Sequence, residues 1–124
     1  MDEDRPIFQQ IAEQIENDII AGVLPEETQV PSTNEFAAFH RINPATAGKG
    51  VNLLVDTGIL YKKRGIGMFV ASGARARLVS QRHEQFSERY VSPLIAEAEK
   101  LGISREELTA MIEKGPMKER GRSR

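Results

Sequence analysis

Residues 31–70 read PSTNEFAAFHRINPATAGKGVNLLVDTGILYKKRGIGMFV, and this stretch decides the fold. Its apolar spacing predicts two short helices joined by a tight turn at residues 41–43. Residues 59–70 then read as two short strands around the glycine-containing turn RGIG, which predicts a β-hairpin. The segments before and after this unit are expected to support it.

Helix-capping signals place the boundaries within this stretch. Ser32 and Glu35 have the spacing of a capping box at the start of the first helix. Asn43 followed by Pro44 predicts an N-cap and a first-turn proline for the second helix. Gly58 suits the left-handed position that follows the end of a helix.

The residues before the stretch predict one more helix and a connector. Residues 6–21 are expected to be helical because isoleucines recur every four residues, at positions 7, 11, 15 and 19. The face that these isoleucines form is expected to be buried in the core. Asp4 is a candidate N-cap for this helix. Residues 23–30 are expected to form a connector whose last three residues make a short edge strand.

The residues after the hairpin are predicted to be helical. The apolar positions over 78–101 predict a helix with a kink or a restart at Pro93. Ser104 and Glu107 form a second capping box, which starts a last short helix. Residues 115–124 are expected to be disordered because of their composition.

The composition excludes several classes of protein. A chain of 124 residues makes one domain, or one small domain with an appendage. The absence of cysteine excludes a disulfide framework and a thiolate metal site, and it fits a cytoplasmic location. No apolar run approaches the roughly 20 residues that span a bilayer. The acidic start MDEDRP does not resemble a signal peptide, so no membrane partner is expected.

The net charge of −1 conceals an uneven distribution. Residues 1–40 carry one basic and nine acidic side chains, whereas residues 41–82 carry eight basic and one acidic. A polyanion responds to the local potential rather than to the net charge. The basic block coincides with the predicted turn, second helix and hairpin, which favours a nucleic-acid partner over a solvated basic face.

Two helices with a tight turn followed by a hairpin form a winged helix-turn-helix. The predicted fold class is therefore mainly α with a small β-hairpin, a winged helix-turn-helix followed by C-terminal helices. The second helix of such a unit, the recognition helix, can enter the major groove of double-stranded DNA, and a thin cationic hairpin suits the minor groove or its phosphates. The candidate DNA-binding residues are Ser32, Asn34, Asn43, Thr46, Lys49, Lys62, Lys63, Arg64 and Gly65.

The segments PIFQQIAEQI, VPSTNEFAAF and INPATAGKGVNLLVDTGILYKKRGIGMFV resemble the GntR family of bacterial transcriptional regulators. The short helical C-terminal region resembles the YtrA-like subfamily of that family. The resemblance implies a winged-helix dimer that binds an operator, usually as a repressor, and often at a transporter operon. It also implies that the C-terminal helices form the dimer interface. By position, the family's DNA contacts fall on Ser32, Asn34, Thr46, Lys49, Arg64 and Gly65.

Two positions depart from the family pattern. Many members have arginine at the position of Asn34, and arginine or another polar residue at the position of Gly48. Because arginine is the commonest reader of guanine, base readout is expected to be modest in each subunit. Gly48 and Gly50 each cost the recognition helix about 1 kcal/mol relative to alanine, which predicts a less rigid helix in the free protein.

The apolar residues of the C-terminal helices predict a homodimer. A kinked helix and a short helix cannot bury two apolar faces alone, and packing on the chain's own winged unit is the alternative. A two-fold dimer places two recognition helices about 34 Å apart, which predicts an inverted-repeat operator. The candidate dimerisation residues are Phe86, Tyr90, Leu94, Ile95, Ala98, Leu101, Leu108, Met111 and Ile112. The predicted division is a DNA-binding domain at 1–72, a dimerisation region at 73–114 and a disordered tail at 115–124.

Three classes of function compete for this pattern. A dimeric DNA-binding regulator is favoured, and a winged helix used for non-specific DNA binding or protein contact is the alternative. An enzyme is not expected, because no nucleophile–base pair or pair of carboxylates has a useful spacing. His40 and His83 lack convergent carboxylates, so no metal site and no cofactor are expected. The sequence does not identify a small-molecule effector.

Overall fold

The computed structural model describes residues 5–115, and its elements follow the predicted order. The fold class is confirmed: the chain is mainly helical with one antiparallel hairpin. The chain divides after Gln81 into two compact units. The elements are α1 (Ile7–Ile20), α2 (Thr33–His40), α3 (Pro44–Asp56), β1 (Leu60–Lys63), β2 (Gly67–Val70), α4 (Ala74–Phe86), a π-helical turn (Ser87–Val91), α5 (Ser92–Lys100) and α6 (Arg105–Glu113).

The isoleucine stripe of α1 forms the centre of the core in the first unit. Ile11, Ile15 and Ile19 are fully buried, as predicted. Ile7 is 46% exposed, so the prediction that it belongs to the buried face was wrong. Because Cα–Cβ bonds in a helix tilt towards its N-terminus, the side chain of this first helical residue extends past the end of the core. The predicted cap Asp4 lies outside the described residues.

The predicted capping box at the start of α2 is confirmed. The Ser32 hydroxyl accepts from the Glu35 amide at 3.1 Å, and the Glu35 carboxylate accepts from the Ser32 amide at 2.9 Å. The turn to α3 passes through Arg41, whose φ of 57° is left-handed. Asn43 then caps α3 by accepting from the Ala45 amide at 2.7 Å.

The two glycines of α3 have different surroundings. Gly50 is buried where α3 crosses α1, and a Cβ added there would lie 2.7 Å from the Phe8 carbonyl oxygen. A Cβ added at Gly48 would meet only the Thr33 methyl group, at an ordinary 3.6 Å. Gly50 therefore permits a close helix approach, while Gly48 meets no such steric demand.

The connector pairs with the hairpin on the side opposite to β1. The register of the hairpin runs from Leu60 opposite Val70 to Lys63 opposite Gly67. In place of the predicted edge strand, the structure has an isolated bridge between Gln29 and Phe69. Three backbone hydrogen bonds of 2.8–3.0 Å fix the connector to β2, from the amides of Glu27, Val30 and Val70.

The second unit contains the end of α4, the π-helical turn, α5 and α6. The irregularity that was predicted at Pro93 takes the form of a π-helical turn immediately before it, rather than a break. In a regular α-helix the proline ring would clash with the carbonyl four residues earlier, and the wider π-helical turn relieves this clash. The capping box of Ser104 and Glu107 is confirmed.

The roles of the predicted DNA-binding and dimerisation regions stay predictions, and the boundary between the two compact units lies later than residue 72. Ala74 and Leu78 of α4 are buried in the core of the first unit, although they lie beyond residue 72. The first eight residues of α4 therefore complete the winged unit. Residues 116–124 of the predicted disordered tail lie outside the described residues.

Substitution of the two α3 glycines by alanine should change stability in opposite directions. Gly50→Ala should destabilise the fold by about 1–3 kcal/mol, because the new methyl group meets backbone that cannot rotate away. Gly48→Ala should stabilise it by about 1 kcal/mol through helix propensity. Urea unfolding of both variants measures the two changes, and equal effects would show that the α1–α3 crossing imposes no steric demand.

Candidate nucleic-acid interface

The start of α2 and the hairpin enclose a cleft of about 350 Å³. Ser32 and Thr33 line one side of it, and Lys62, Lys63 and Gly65 line the other. The N-terminal end of a helix and two lysine residues thus border the same space, which favours an anion. The structure brings together four of the predicted DNA-binding residues at this cleft.

Lys49 lies on a second surface, which is formed by α3 and the start of α1. Its ammonium nitrogen lies 4.3 Å from the centroid of the Phe8 ring. Ala45, Gly48 and Asn52 line the same shallow depression. Such an exposed cation–π contact stabilises by about 0.5–1 kcal/mol, so it restrains the lysine without removing it from solvent.

The other predicted DNA-binding residues occupy the ends and turns of the elements. Asn34 is exposed in the first turn of α2, and Thr46 is half-buried in the first turn of α3. The Asn43 oxygen is engaged as the α3 cap. Arg64 is exposed at the tip of the hairpin beside Gly65.

An aromatic pair organises one face of the hairpin. Tyr61 lies directly opposite Phe69 in the register, and their rings stack with centroids 5.9 Å apart. The Lys63 ammonium lies 4.5 Å from the Phe69 centroid. The Tyr61 hydroxyl donates to the Glu27 carboxylate at 2.5 Å, which joins the connector to the base of the hairpin.

Sequence reasoning did not identify Phe8 and Phe69 as supports for the DNA-binding lysines. The contact of Phe69 could have been predicted, because side chains alternate between the faces of a strand. Tyr61 and Lys63 therefore share one face of the hairpin, and Phe69 lies opposite Tyr61 on that face. The contact of Phe8 with Lys49 could not have been predicted in this way, because it spans two separate helices.

Two of the basic residues in the block over 41–82 bind backbone carbonyls at the ends of helices. The Arg75 guanidinium donates to the Ile20 carbonyl at 2.9 Å, at the end of α1. The Arg77 guanidinium donates to the carbonyls of Thr57 and Gly58, at 2.8 and 3.3 Å, beyond the end of α3. A cation at these positions stabilises the negative end of a helix. Both arginines remain exposed, but their hydrogen bonds hold them at the helix ends.

The predicted dimerisation residues lie in the second unit. Six of them are large apolar side chains with exposed fractions between 44% and 63%: Phe86, Tyr90, Leu94, Leu101, Met111 and Ile112. Ile95 and Leu108 are half-buried, and Ala98 is buried. The rings of Phe86 and Tyr90 lie 5.6 Å apart, one helical turn from each other. Within residues 5–115, no helix has the length and apolar character required to cross a membrane.

Comparison with known proteins gives a consistent result. Residues 7–70 match the family described as bacterial regulatory proteins, gntR family. The HTH-type transcriptional repressor YtrA of Bacillus subtilis is 29% identical over 107 residues, which is 86% of this chain and 82% of that protein. The predicted YtrA-like resemblance is thereby confirmed.

Two solved structures are also similar. A GntR family transcriptional regulator from Listeria monocytogenes has a TM-score of 0.73 and 28% identity, with 93% of this chain and 99% of that chain covered. The DNA-binding domain of AraR in complex with operator ORX1 has a TM-score of 0.53 and 30% identity, with 57% of this chain and 87% of that chain covered.

The bond between Tyr61 and Glu27 should be visible in a pH titration. The hydrogen bond to Glu27, followed by a smaller desolvation effect and the carboxylate charge, raises the pKa of Tyr61 above its ordinary value. The stabilisation is therefore fully present below the ordinary pKa and is lost as the pH rises through the raised pKa. Absorbance at alkaline pH in a Tyr90→Phe variant, which retains only Tyr61, measures this pKa.

Two further variants test the cause of this shift. Glu27→Gln in the Tyr90→Phe background should lower the pKa of Tyr61 towards its ordinary value. Glu26→Gln is the matched control, because the Glu26 carboxylate accepts from the Arg75 amide instead. If both substitutions had the same effect on Tyr61, the specific bond to Glu27 would not be the cause.

Proposed function

The chain belongs to the GntR family of bacterial regulatory proteins, and we propose that it is a homodimeric repressor that binds an inverted-repeat operator in the cytoplasm. The family match over residues 7–70 spans α1 to the end of the hairpin, which is the winged helix. The protein is thus a transcriptional regulator with a DNA-binding winged helix. The repressor role is supported by the name of the YtrA relative. By analogy with YtrA-like members, a transporter operon is the proposed target.

The observation that carries the DNA-binding mode is the cleft between α2 and the hairpin. Its two sides are formed by the N-terminal end of α2, at Ser32 and Thr33, and by Lys62 and Lys63 of the hairpin. A backbone phosphate of DNA fits this chemistry, because helix N-termini and lysines both bind phosphate oxygens. A similar domain, that of AraR, forms a complex with an operator. We therefore propose that the hairpin, residues 60–70, is the wing.

We assign α3 to the major groove. Its exposed face carries Lys49 and Asn52, with Thr46 one turn closer to the N-terminus. These side chains can contact guanine edges, adenine edges or phosphates. Lys49 is the one cation in α3, which the structure describes throughout. Phosphate contacts are therefore proposed to supply most of the affinity, and base contacts a smaller share.

The second unit is proposed as the dimer interface. Six large apolar side chains are exposed there, and a partner subunit would remove them from water. An isologous dimer with two-fold symmetry would present two α3 helices about 34 Å apart, on the same side of the DNA. This spacing matches an operator with two inverted half-sites.

Binding without sequence preference is a second candidate, and one observation favours it. Many family members have arginine at the position of Asn34, and arginine or another polar residue at the position of Gly48. This chain therefore has no guanidinium at these positions for bidentate guanine contacts. A regulator of this kind would bind DNA mainly through the wing and the cleft. Selection of bound fragments from random DNA distinguishes the two candidates, because only specific binding enriches one repeated sequence.

Two lysine substitutions should affect DNA binding differently. Lys49→Ala should weaken binding to the selected operator more than binding to random DNA, because Lys49 lies on the exposed face of α3 that is proposed to contact bases. Lys63→Ala should weaken both about equally and lower the magnitude of the log–log salt slope by about 1 per protomer. Fluorescence anisotropy at several salt concentrations measures both effects. Equal losses on both DNAs for Lys49→Ala would count against base readout.

A charged substitution in the second unit should separate the protomers. Leu94→Asp places a carboxylate within the exposed apolar set, where a partner subunit would have to bury it. Sedimentation velocity at micromolar concentration should show a dimer for the natural protein and a monomer for the variant. Val23→Asp is the control, because Val23 is also apolar and exposed but lies in the first unit. A natural protein that sediments as a monomer would refute the dimer.

A further inference from the structure

Among the described residues, Gln29 makes the one long-range side-chain hydrogen bond to the tip of the wing. Its amide nitrogen donates to the Ile66 carbonyl oxygen at 3.0 Å, across 37 residues of sequence. Gln29 is itself fixed by the backbone bridge to Phe69 and by the bonds on either side of it. The amide is therefore a rigidly based donor directed at the turn of the wing.

The bond acts where the backbone ladder has ended. The last paired residues of the wing are Lys63 and Gly67, so residues 64–66 lie beyond the register. Within this turn, the Ile66 amide donates to the Lys63 carbonyl at 2.9 Å. The Ile66 carbonyl faces Gln29 instead, and this contact connects the tip to the winged unit from outside the hairpin.

Gly67 leaves the space that Gln29 uses. A Cβ added at Gly67 would overlap the Gln29 amide nitrogen, and the φ of 145° also favours glycine at this position. Gln29 and Gly67 additionally line the cleft that contains Lys62, Lys63 and Gly65. The contact therefore lies at the proposed DNA surface and not in the core.

We propose that Gln29 is a positioning residue for DNA binding, which sets the direction of the wing tip by holding the Ile66 carbonyl. This inference rests on the proposed function, because it assumes that the tip contacts DNA. A free tip of three residues with one glycine can adopt many directions, and DNA binding would have to select one of them. The Gln29 bond restricts the tip in the free protein and so reduces the conformational entropy that the tip loses on binding DNA. It acts on Arg64 and Gly65 through the backbone and not by touching DNA.

The first test removes the donor and keeps the shape of the side chain. Gln29→Met should raise the Kd for operator DNA about fivefold per wing, which corresponds to the loss of one ordinary hydrogen bond. Gln29→Glu should have a larger effect, because its carboxylate repels both the Ile66 carbonyl and the DNA phosphates. Gln14→Met is the matched control: the Gln14 amide makes a comparable exposed bond to Asp18 on α1, at 3.3 Å. It should leave the Kd unchanged.

The second test asks whether Gln29 acts through the wing. In an Arg64→Ala background, Gln29→Met should lose most of its effect on the Kd, whereas in a Lys49→Ala background the two effects should multiply. Relaxation of backbone amide nitrogens in the free Gln29→Met protein should show greater motion at residues 64–66. The melting temperature should fall by a few degrees at most, because only one exposed hydrogen bond is lost.

Three results would overturn the inference. An unchanged Kd for Gln29→Met, with operator binding by the natural protein intact, would refute the role of Gln29 alone. An undiminished effect in the Arg64→Ala background would show that Gln29 acts elsewhere than through the tip. Failure of the natural protein to bind any DNA would refute the proposed function, and this inference with it.

Discussion

The close crossing of α1 and α3 at Gly50 is the constraint on which the structure depends. The backbone of α3 approaches the Phe8 carbonyl so closely that no side chain fits between them. This approach lets Ile11 and Ile15 meet Ala47, Val51 and Leu54 in one core, a set of residues that is fully buried. Because this face of α3 is buried against α1, the opposite face must point to solvent. The exposed face of α3, which is proposed to contact bases, is thus determined by the packing of the other face against α1.

Basic residues are divided between two tasks that the sequence alone does not separate. Arg75 and Arg77 donate to carbonyls at or beyond the ends of α1 and α3, which fixes the first part of α4 to the winged unit. Lys62, Lys63 and Arg64 lie on the wing and remain exposed. Guanidinium groups suit the first task because a planar fork can bind two carbonyls at once. Arg75 and Arg77 are themselves exposed and still add positive charge to the surface, but their hydrogen bonds hold them at the helix ends and not on the wing.

Local chemistry explains which features could be predicted from the sequence. Capping boxes, the Asn–Pro helix start and the hairpin depend on residues within a few positions of each other, and all were predicted correctly. The misses involve distant residues or helix ends: the Gln29–Ile66 bond spans 37 residues, Gly50 meets a different helix, and Ile7 lies at a helix start. Periodicity identifies the face of a helix, but it does not reveal how closely another backbone approaches that face.

Aromatic rings hold two of the proposed DNA-contacting lysines before any DNA is bound. Lys49 lies over Phe8 and Lys63 over Phe69. Each exposed contact is worth about 0.5–1 kcal/mol, whereas a charge-assisted hydrogen bond contributes about 1.5–3 kcal/mol. A phosphate can therefore draw the ammonium group away from the ring, or bind it in place. Because a free lysine loses about 2 kcal/mol of side-chain entropy when it is fixed, the rings lower the cost of binding. Restrained cations of this kind favour affinity over base discrimination, so operator selection would depend on two subunits that bind together at a fixed spacing.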